Sequence, residues 1–584
     1  MWRVPIADSE TPFALLARTF FAELFASESV ASEIQLHRVF VWVFAFLLLP
    51  GFFLLVQVFP AYQIAGVVAV AHHRPAQIEA QLNQILLLIV TYSMVTTGIV
   101  ALFVWDHLNI ERRDAMVLGA LPLTSLTIVG AKLTALAALL LGGSLVVNLV
   151  TAIPFAFTTT LGGWLTLVRH VAACLVANVA AATFVFAALV AIRGAVMLFA
   201  RERLANILGA LLQFGFVVAL LCFLIVLLDY GLRPSASAFF VDGAGASVPT
   251  AWFVGLFEWL LGVTRPSVDA LATRAVLGTS IAGAGAVLVS IAGLRRHMQR
   301  ALASAGRRGP VPTARMTRLL ARTLAGRRPA ARATAEFLLL TVARSRPHQA
   351  LVGVNLAVGV AMIAAVLSSH AHTLASLVHP RTATFWAPLL LAWWAMIGLR
   401  AAFFVPAQLP ASWVFRSHAP EPERGYWAAT RAALAALTLP PIAGLTLVLL
   451  VPLVGWPLAA WHLLIVCAAT LLLVEVVALT IDFVPFTRAY QAGHARLKTR
   501  WWLYVLGPFA FAYVPVRIEL HLIGHWVALL EMAAWLLAGA AVLEYVGRCR
   551  AHRWTIGEPD DRTDGSSALT VLDLAMPAGM APTG

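Results

Sequence analysis

Apolar residues in this chain fall in long unbroken runs, with neither the strict alternation of a half-buried strand nor the single apolar stripe of a surface helix. About twelve such runs are legible, at roughly 40–59, 84–105, 133–157, 165–192, 205–229, 270–293, 349–368, 384–405, 431–454, 456–481, 501–516 and 524–546; the eleventh is the shortest. A run of about 20 residues rises about 1.5 Å per residue as a helix and so crosses the roughly 30 Å hydrocarbon layer. Inside that layer only a helix satisfies its own backbone, apart from closed barrels, whose strands alternate. The pattern therefore predicts an all-α polytopic membrane protein with about twelve transmembrane helices.

Polar punctuation between the runs suggests that this architecture is built twice. Each half opens with a stretch suited to the membrane surface. In the first, Thr11 is placed to cap and Pro12 to start a helix that carries Phe13, Leu16, Phe20 and Leu24 on one face. Its counterpart is 334-TAEFLLLTVARSRPHQ-349. In each half two apolar runs follow, and then a polar segment centred on a Leu-Pro step, 120-ALPLTS-125 in one and 408-QLPASWVFR-416 in the other. The expected organisation is a first six-span half over 1–293, an Arg-rich linker over 294–333, a second half over 334–546, and a disordered tail over 547–584.

Composition agrees with a membrane protein. The chain is 61% hydrophobic and 12% charged, with mean hydropathy +0.86, whereas soluble domains run at about 45–50% apolar and about 25% charged. Residues 1–38 carry scattered charges of both signs and no short apolar core before a small-residue cleavage site, so the first run is expected to remain in the mature protein. Cys174, Cys222 and Cys467 fall inside runs and Cys549 in the tail, which suggests neither a disulfide framework nor a thiolate metal site.

The net charge of +14 adds orientation. Leu294 to Gln349 holds 13 arginines against one acid, Glu336, and a loop so basic is retained on the cytoplasmic side. Parity then puts both termini, and the segments 106–132, 193–204, 406–430 and 482–500, in the cytoplasm. The arginines are spread over loops and lack interleaved stacking aromatics, so no nucleic-acid partner is expected. Arginine outnumbers lysine 39 to 2 in an alanine-rich chain, a codon bias pointing to a GC-rich bacterium and to its inner membrane.

The segment 111-ERRDAMVLGALPLTSLTIVGAKL-133 carries a mixed-sign cluster, Glu111, Arg112, Arg113 and Asp114, beside the apolar Met116, Val117, Leu118 and Leu121. Pro122 would end a short helix there, and Thr124 or Ser125 could cap the next. On physical grounds this is either a solvated connector or an interfacial helix that docks a partner. The charged start, the Leu121-Pro122-Leu123 step and the Gly130-Ala131-Lys132 string resemble the cytoplasmic loop of type-2 ATP-binding-cassette (ABC) transporter permeases. The surface helix before the first run and the membrane-dipping stretch 250-TAWFVGLFEWLLG-262 resemble the same family, so the likeness spans most of the first half. The second half departs from it: its loop lacks Gly-x-Lys, and the connection near Arg517 to His521 is too short for a dipping helix.

That resemblance implies a permease, in a fused two-half form, whose cytoplasmic loops carry coupling helices against a separate ATPase dimer. The implied coupling residues are Glu111, Arg112, Arg113, Asp114, Leu121, Pro122 and Lys132 in the first loop and Pro410, Trp413, Phe415 and Arg416 in the second. The chain has no G-x-x-x-x-G-K-[ST] phosphate loop, so ATP hydrolysis and any nucleotide cofactor are expected in the partner.

Two other classes stay open. An ion-coupled carrier needs acids buried at mid-membrane, for which Glu475 and Glu531 are candidates, with Asp482 two turns after Glu475 on the expected face; Arg400 is read as snorkelling. An integral-membrane enzyme would draw on His370, His372 and His379 or on His521 and His525 at i, i+4. No H-E-x-x-H or G-x-S-x-G motif completes such a site.

The arginine count generates a topology prediction. In intact cells, a cysteine replacing Arg308 should be inaccessible to a membrane-impermeant probe and one within 230–248 should react. Labelling at position 308 from outside would overturn both the parity and the span count.

Overall fold

The computed structural model describes residues 11–23, 75–105, 118, 121–159, 163–200, 202–231, 244–303, 314–325, 328–370, 382–407, 422–487 and 506–551. They form fifteen α-helices and no strand. In chain order these are α1 (Pro12–Glu23), α2 (Pro75–Phe103), α3 (Ser125–Thr159), α4 (Trp164–Phe199), α5 (Glu202–Gly231), α6 (Pro249–Leu260) and α7 (Pro266–Ala303). There follow α8 (Ala314–Leu324), α9 (Pro329–Arg344), α10 (Arg346–His370), α11 (Thr382–Phe403), α12 (Pro422–Val454), α13 (Trp456–Ala478), α14 (Val514–Leu522) and α15 (Trp526–Arg550).

Ten of these, α2–α5, α7, α10–α13 and α15, are long and apolar enough to cross a bilayer, which makes this a multi-pass membrane protein. The run at 40–59 lies outside the described residues. The eleventh run differs from expectation in its described part. From Leu506 onward it continues to Leu522, through a π-helical turn at Phe509–Tyr513 in which Val514 N donates to Phe509 O. Pro515 follows that turn; its ring crowds the carbonyl four residues back and it offers no N–H, which a locally widened helix accommodates. The region 294–333 is also more structured than a bare linker: α7 runs on to Ala303, α8 forms within the region, and Pro329 starts α9 five residues before the expected surface helix.

Contacts divide the chain into two units, one carrying α1–α7 and the other α8–α15, with α10 divided between them after Gly359. In the first unit α1 packs on α3, α2 touches α3, α4 and α5, and α4 is the hub, meeting α2, α3, α6 and α7. In the second, α12 is the hub, meeting α8, α9, α11, α13 and α15, while α11 also touches α13 and the π turn and α13 also meets α15.

Helices in lipid gain from close backbone approach at small residues. A Cβ on Gly255 of α6 would stand 2.4 Å from Leu271 Cβ of α7, and one on Gly547 of α15 would stand 2.3 Å from the Trp427 ring of α12. Four buried threonines spend their hydroxyls on their own helix: Thr91, Thr96, Thr438 and Thr446 each donate to the carbonyl four residues back at 2.7–2.8 Å. Each such bond keeps a hydroxyl from being left in hydrocarbon without a partner.

A leucine at Gly255 should force α6 from α7 and lower stability by about 1–3 kcal/mol. Gly283→Leu, on α7 where nothing lies within 4 Å of a built Cβ, should be neutral. Thermal unfolding of the purified protein in detergent checks this; equal melting points would refute the packing account.

Candidate functional site

The first Leu-Pro step sits in a small packed corner at the start of α3. Thr124 caps that helix, receiving Thr127 N at 3.2 Å, and Leu123 N donates to Leu121 O at 2.7 Å in a three-residue turn around Pro122. Leu121 and Pro122 are exposed at the tip of this turn. Behind them α1 lies along α3: Phe20 is buried against Ile128, Ala131 and Ala135, with Leu16, Ala17, Leu118 and Leu123 around it. Thr11 caps α1 through Ala14 N at 3.4 Å.

Lys132 is not displayed for docking. It is 3% exposed, with its ammonium 4.6 Å from the centre of the Phe20 ring. Gly130 sits under Phe13, whose ring a built Cβ would meet at 3.2 Å. The Gly-Ala-Lys string is therefore covered by α1, where a cation over an aromatic face holds the two helices together. Glu111, Arg112, Arg113 and Asp114 lie outside the described residues.

Pro410, Trp413, Phe415 and Arg416 of the second step also lie outside them, but the root of that segment is described. Ala407 N donates to Phe486 O and Phe486 N to Phe403 O, both at 3.2 Å. Phe486 has φ +69°, a left-handed conformation that costs a bulky residue about 1–3 kcal/mol and persists only where its surroundings impose it. The surroundings here are aromatic: His348 at 4.7 Å, Phe403 at 5.2 Å and Phe337 at 6.2 Å between ring centres. His348 is held in turn by Val405 O at 3.0 Å and Ser345 Oγ at 2.5 Å. Arg400 bonds Thr480 Oγ1 at 2.9 Å and covers the Phe404 ring, so it is anchored by protein partners.

The second unit also holds two charge clusters, each built on a buried acid. Where α12 begins and α13 and α15 end, Arg431 Nε donates to Glu475 and its Nη2 to Glu544 at 2.8 Å, while Arg548 donates to the other oxygen of Glu544. Glu475 is fully buried and Arg431 one-quarter exposed. Arg431 thus balances the charge of the buried Glu475, while Arg548, 68% exposed, pairs with Glu544 nearer the surface. Near the opposite ends of α13 and α15, His462 of α13 contacts both oxygens of Glu519 of α14, at 2.8 and 3.0 Å, with the ring of Phe385 against the imidazole at 4.7 Å. His462 and Glu519 are at most 1% exposed, and His462 Nε2 has no hydrogen-bond partner among the described residues.

Other candidates fall elsewhere. Glu531 is not a buried acid: it is exposed on α15, between Val527 and Trp535, which are 70% and 78% exposed, because it stands about 200° around the helix from the buried Leu529 and Ala533. Asp482 follows the end of α13 and is exposed, so it shares no helical face with Glu475. His521 and His525 do not form an i, i+4 pair, since α14 ends at Leu522 and Gly524, at φ +96°, turns the chain before α15. No cluster of three metal-ligating side chains occurs among the described residues. His372 and His379 lie outside the described residues, as does the side chain of His370.

Sequence reasoning missed Arg431, His462, Glu519 and also Arg193, which was expected in a loop but is 1% exposed on α4, 5.2 Å from the Trp105 ring and filling the space above Gly209. The available signal was the same for each: a lone ionisable residue within or beside an apolar run is costly unless it finds a partner.

Replacing Arg431 with Met should strand the Glu475 carboxylate and cost about 3–5 kcal/mol. Arg431→Met with Glu475→Gln should recover much of that loss, as read by thermal unfolding in detergent; a double variant no better than the single one would refute direct pairing as the source of the cost.

Comparison of the whole chain with protein-family models, with curated proteins and with solved structures returns no match.

Proposed function

We propose that this chain is the membrane-spanning permease subunit of an ABC transporter, an exporter of the fused two-half form, driven by ATP hydrolysed on a separate cytoplasmic ATPase dimer. The observation that carries this reading is the packed corner in which α1, Leu118, Leu123 and the buried Lys132 brace the start of α3 while Leu121 and Pro122 stand exposed. A docking element must transmit force, and a segment keyed into the base of a spanning helix moves with it.

Repetition adds support. The surface helix packs on the helix after the Leu-Pro step in each unit, α1 on α3 and α9 on α12. The helices at the fourth expected span position, α4 and α13, each meet those at the second, third and sixth positions of their own unit, α2, α3 and α7 in one and α11, α12 and α15 in the other, as a duplicated six-span plan with interfacial helices would have it. In this reading the membrane is a bacterial inner membrane, both termini are cytoplasmic, and each half offers one loop to the ATPase dimer. The Arg431 bridge argues against Glu475 as a coupling carboxylate, because an acid that carries an ion must exchange partners during transport.

A second reading rests on His462 and Glu519. A fully buried histidine–carboxylate pair joining α13 to α14 is a natural proton site, and it would suit a proton-coupled carrier.

Two measurements separate these readings. The purified chain alone should not hydrolyse ATP. With its cognate ATPase, charge reversal at both Arg113 and Asp114 should lower transport-coupled hydrolysis by about an order of magnitude, since rim charges set docking and register; undiminished coupling would remove the first loop from the docking site. Trp413→Ala with Phe415→Ala should uncouple hydrolysis from transport at unchanged expression, whereas His462→Gln with Glu519→Gln should leave coupling intact. The reverse outcome favours the proton-coupled carrier.

A further inference from the structure

The helix α8, ARMTRLLARTL, has three arginines and no acid in eleven residues. One face, with Thr317, Leu320, Ala321 and the following Ala325, is turned into the second unit against α9 and α12. The opposite face leaves Met316 and Leu319 about 60% exposed. At 100° per residue, the exposed Arg315, Arg318 and Arg322 form a stripe along the edge of this apolar face. Arg318 also reaches Glu336 at 3.2 Å; Arg315 and Arg322 have no acidic partner among the described residues.

The depth of α8 follows from its neighbours. Ala325 closes α8 just before Pro329 starts α9, and the start of α9 lies against the start of the apolar stretch of α12, since a Cβ built on Gly425 would stand 4.0 Å from Ala331 N. The helix thus lies at the level where spans enter and leave hydrocarbon. Eleven residues rise only about 16 Å, too little to cross.

We propose that the outer face of α8 is a binding surface for anionic phospholipid headgroups: Met316 and Leu319 enter the acyl boundary while Arg315 and Arg322 engage phosphates. The charge complementarity selects this occupant, because a neutral apolar partner would leave the arginine edge unpaired, whereas an anionic leaflet matches both halves of the face at once. The inference rests on the chain's spanning a membrane and is independent of the ATPase reading.

The test uses the full-length chain with Cys549→Ser, the exposed native thiol, and Leu319→Cys carrying an environment-sensitive fluorophore. It is reconstituted into nanodiscs of phosphatidylcholine with or without phosphatidylglycerol. In the anionic discs the emission should be blue-shifted and quenched by lipids brominated near the headgroup. Quenching should fall several-fold in the zwitterionic discs, at high salt, or with Arg315→Glu and Arg322→Glu. Water-like emission in every disc would overturn the proposal. So would blue emission without lipid quenching, which would mean that protein covers the face, or equal quenching in both discs, which would mean apolar contact without headgroup recognition. Emission that changes with protein density in the disc would identify a second copy as the occupant and would likewise overturn it.

Discussion

Every backbone amide that crosses hydrocarbon must find its partner within its own segment, because no water is there to bond it. The rest of this structure follows from that constraint. It accounts for ten long helices and no strand among the described residues, and for threonines that turn their hydroxyls back on their own carbonyls. It also explains why Pro515 follows a π turn: a residue that cannot donate is accommodated by widening the helix and not by opening it.

With the backbone self-satisfied, the helices must be told apart by side chains, and lipid removes the hydrophobic effect as the means. Two devices take its place here. Close approach at Gly255 and Gly547 lets one particular neighbour, Leu271 or Trp427, seat against the backbone. Buried charges supply the second device. Arg431 joins α12 to both α13 and α15, and His462 joins α13 to α14, so α13 is pinned near both of its ends. Stranding any one of these groups in hydrocarbon is costly, which turns a few pairs into strong constraints on assembly.

The parts read as coupling elements obey a different logic. Leu121 and Pro122 are exposed just before α3, and Ala407, at the root of the second segment, is exposed just past α11. What marks them is support from behind: Lys132 over Phe20 under the first Leu-Pro step, and the strained Phe486 among His348, Phe403 and Phe337 at the root of the second segment. A surface element braced in this way would move with the spanning helix, and the transport proposal rests on that.

The sequence by itself determined the fold class and most of the spans, because length and apolarity are one-dimensional properties and the bilayer reads them directly. It also located the start of α1 at Thr11 and Pro12 and the cap of α3 at Thr124 or Ser125, since caps depend on a few adjacent residues. Partnership was decided only in three dimensions. Glu475 and Glu531 look alike in sequence, each a lone acid in an apolar run, yet one is buried against Arg431 and the other exposed. Lys132 reads as a surface cation until α1 folds over it, and His462 and Glu519 are 57 residues apart. Which face of a helix meets which neighbour depends on the packing of all the helices together. The burial, pairing and accessibility of each ionisable group are consequences of that packing.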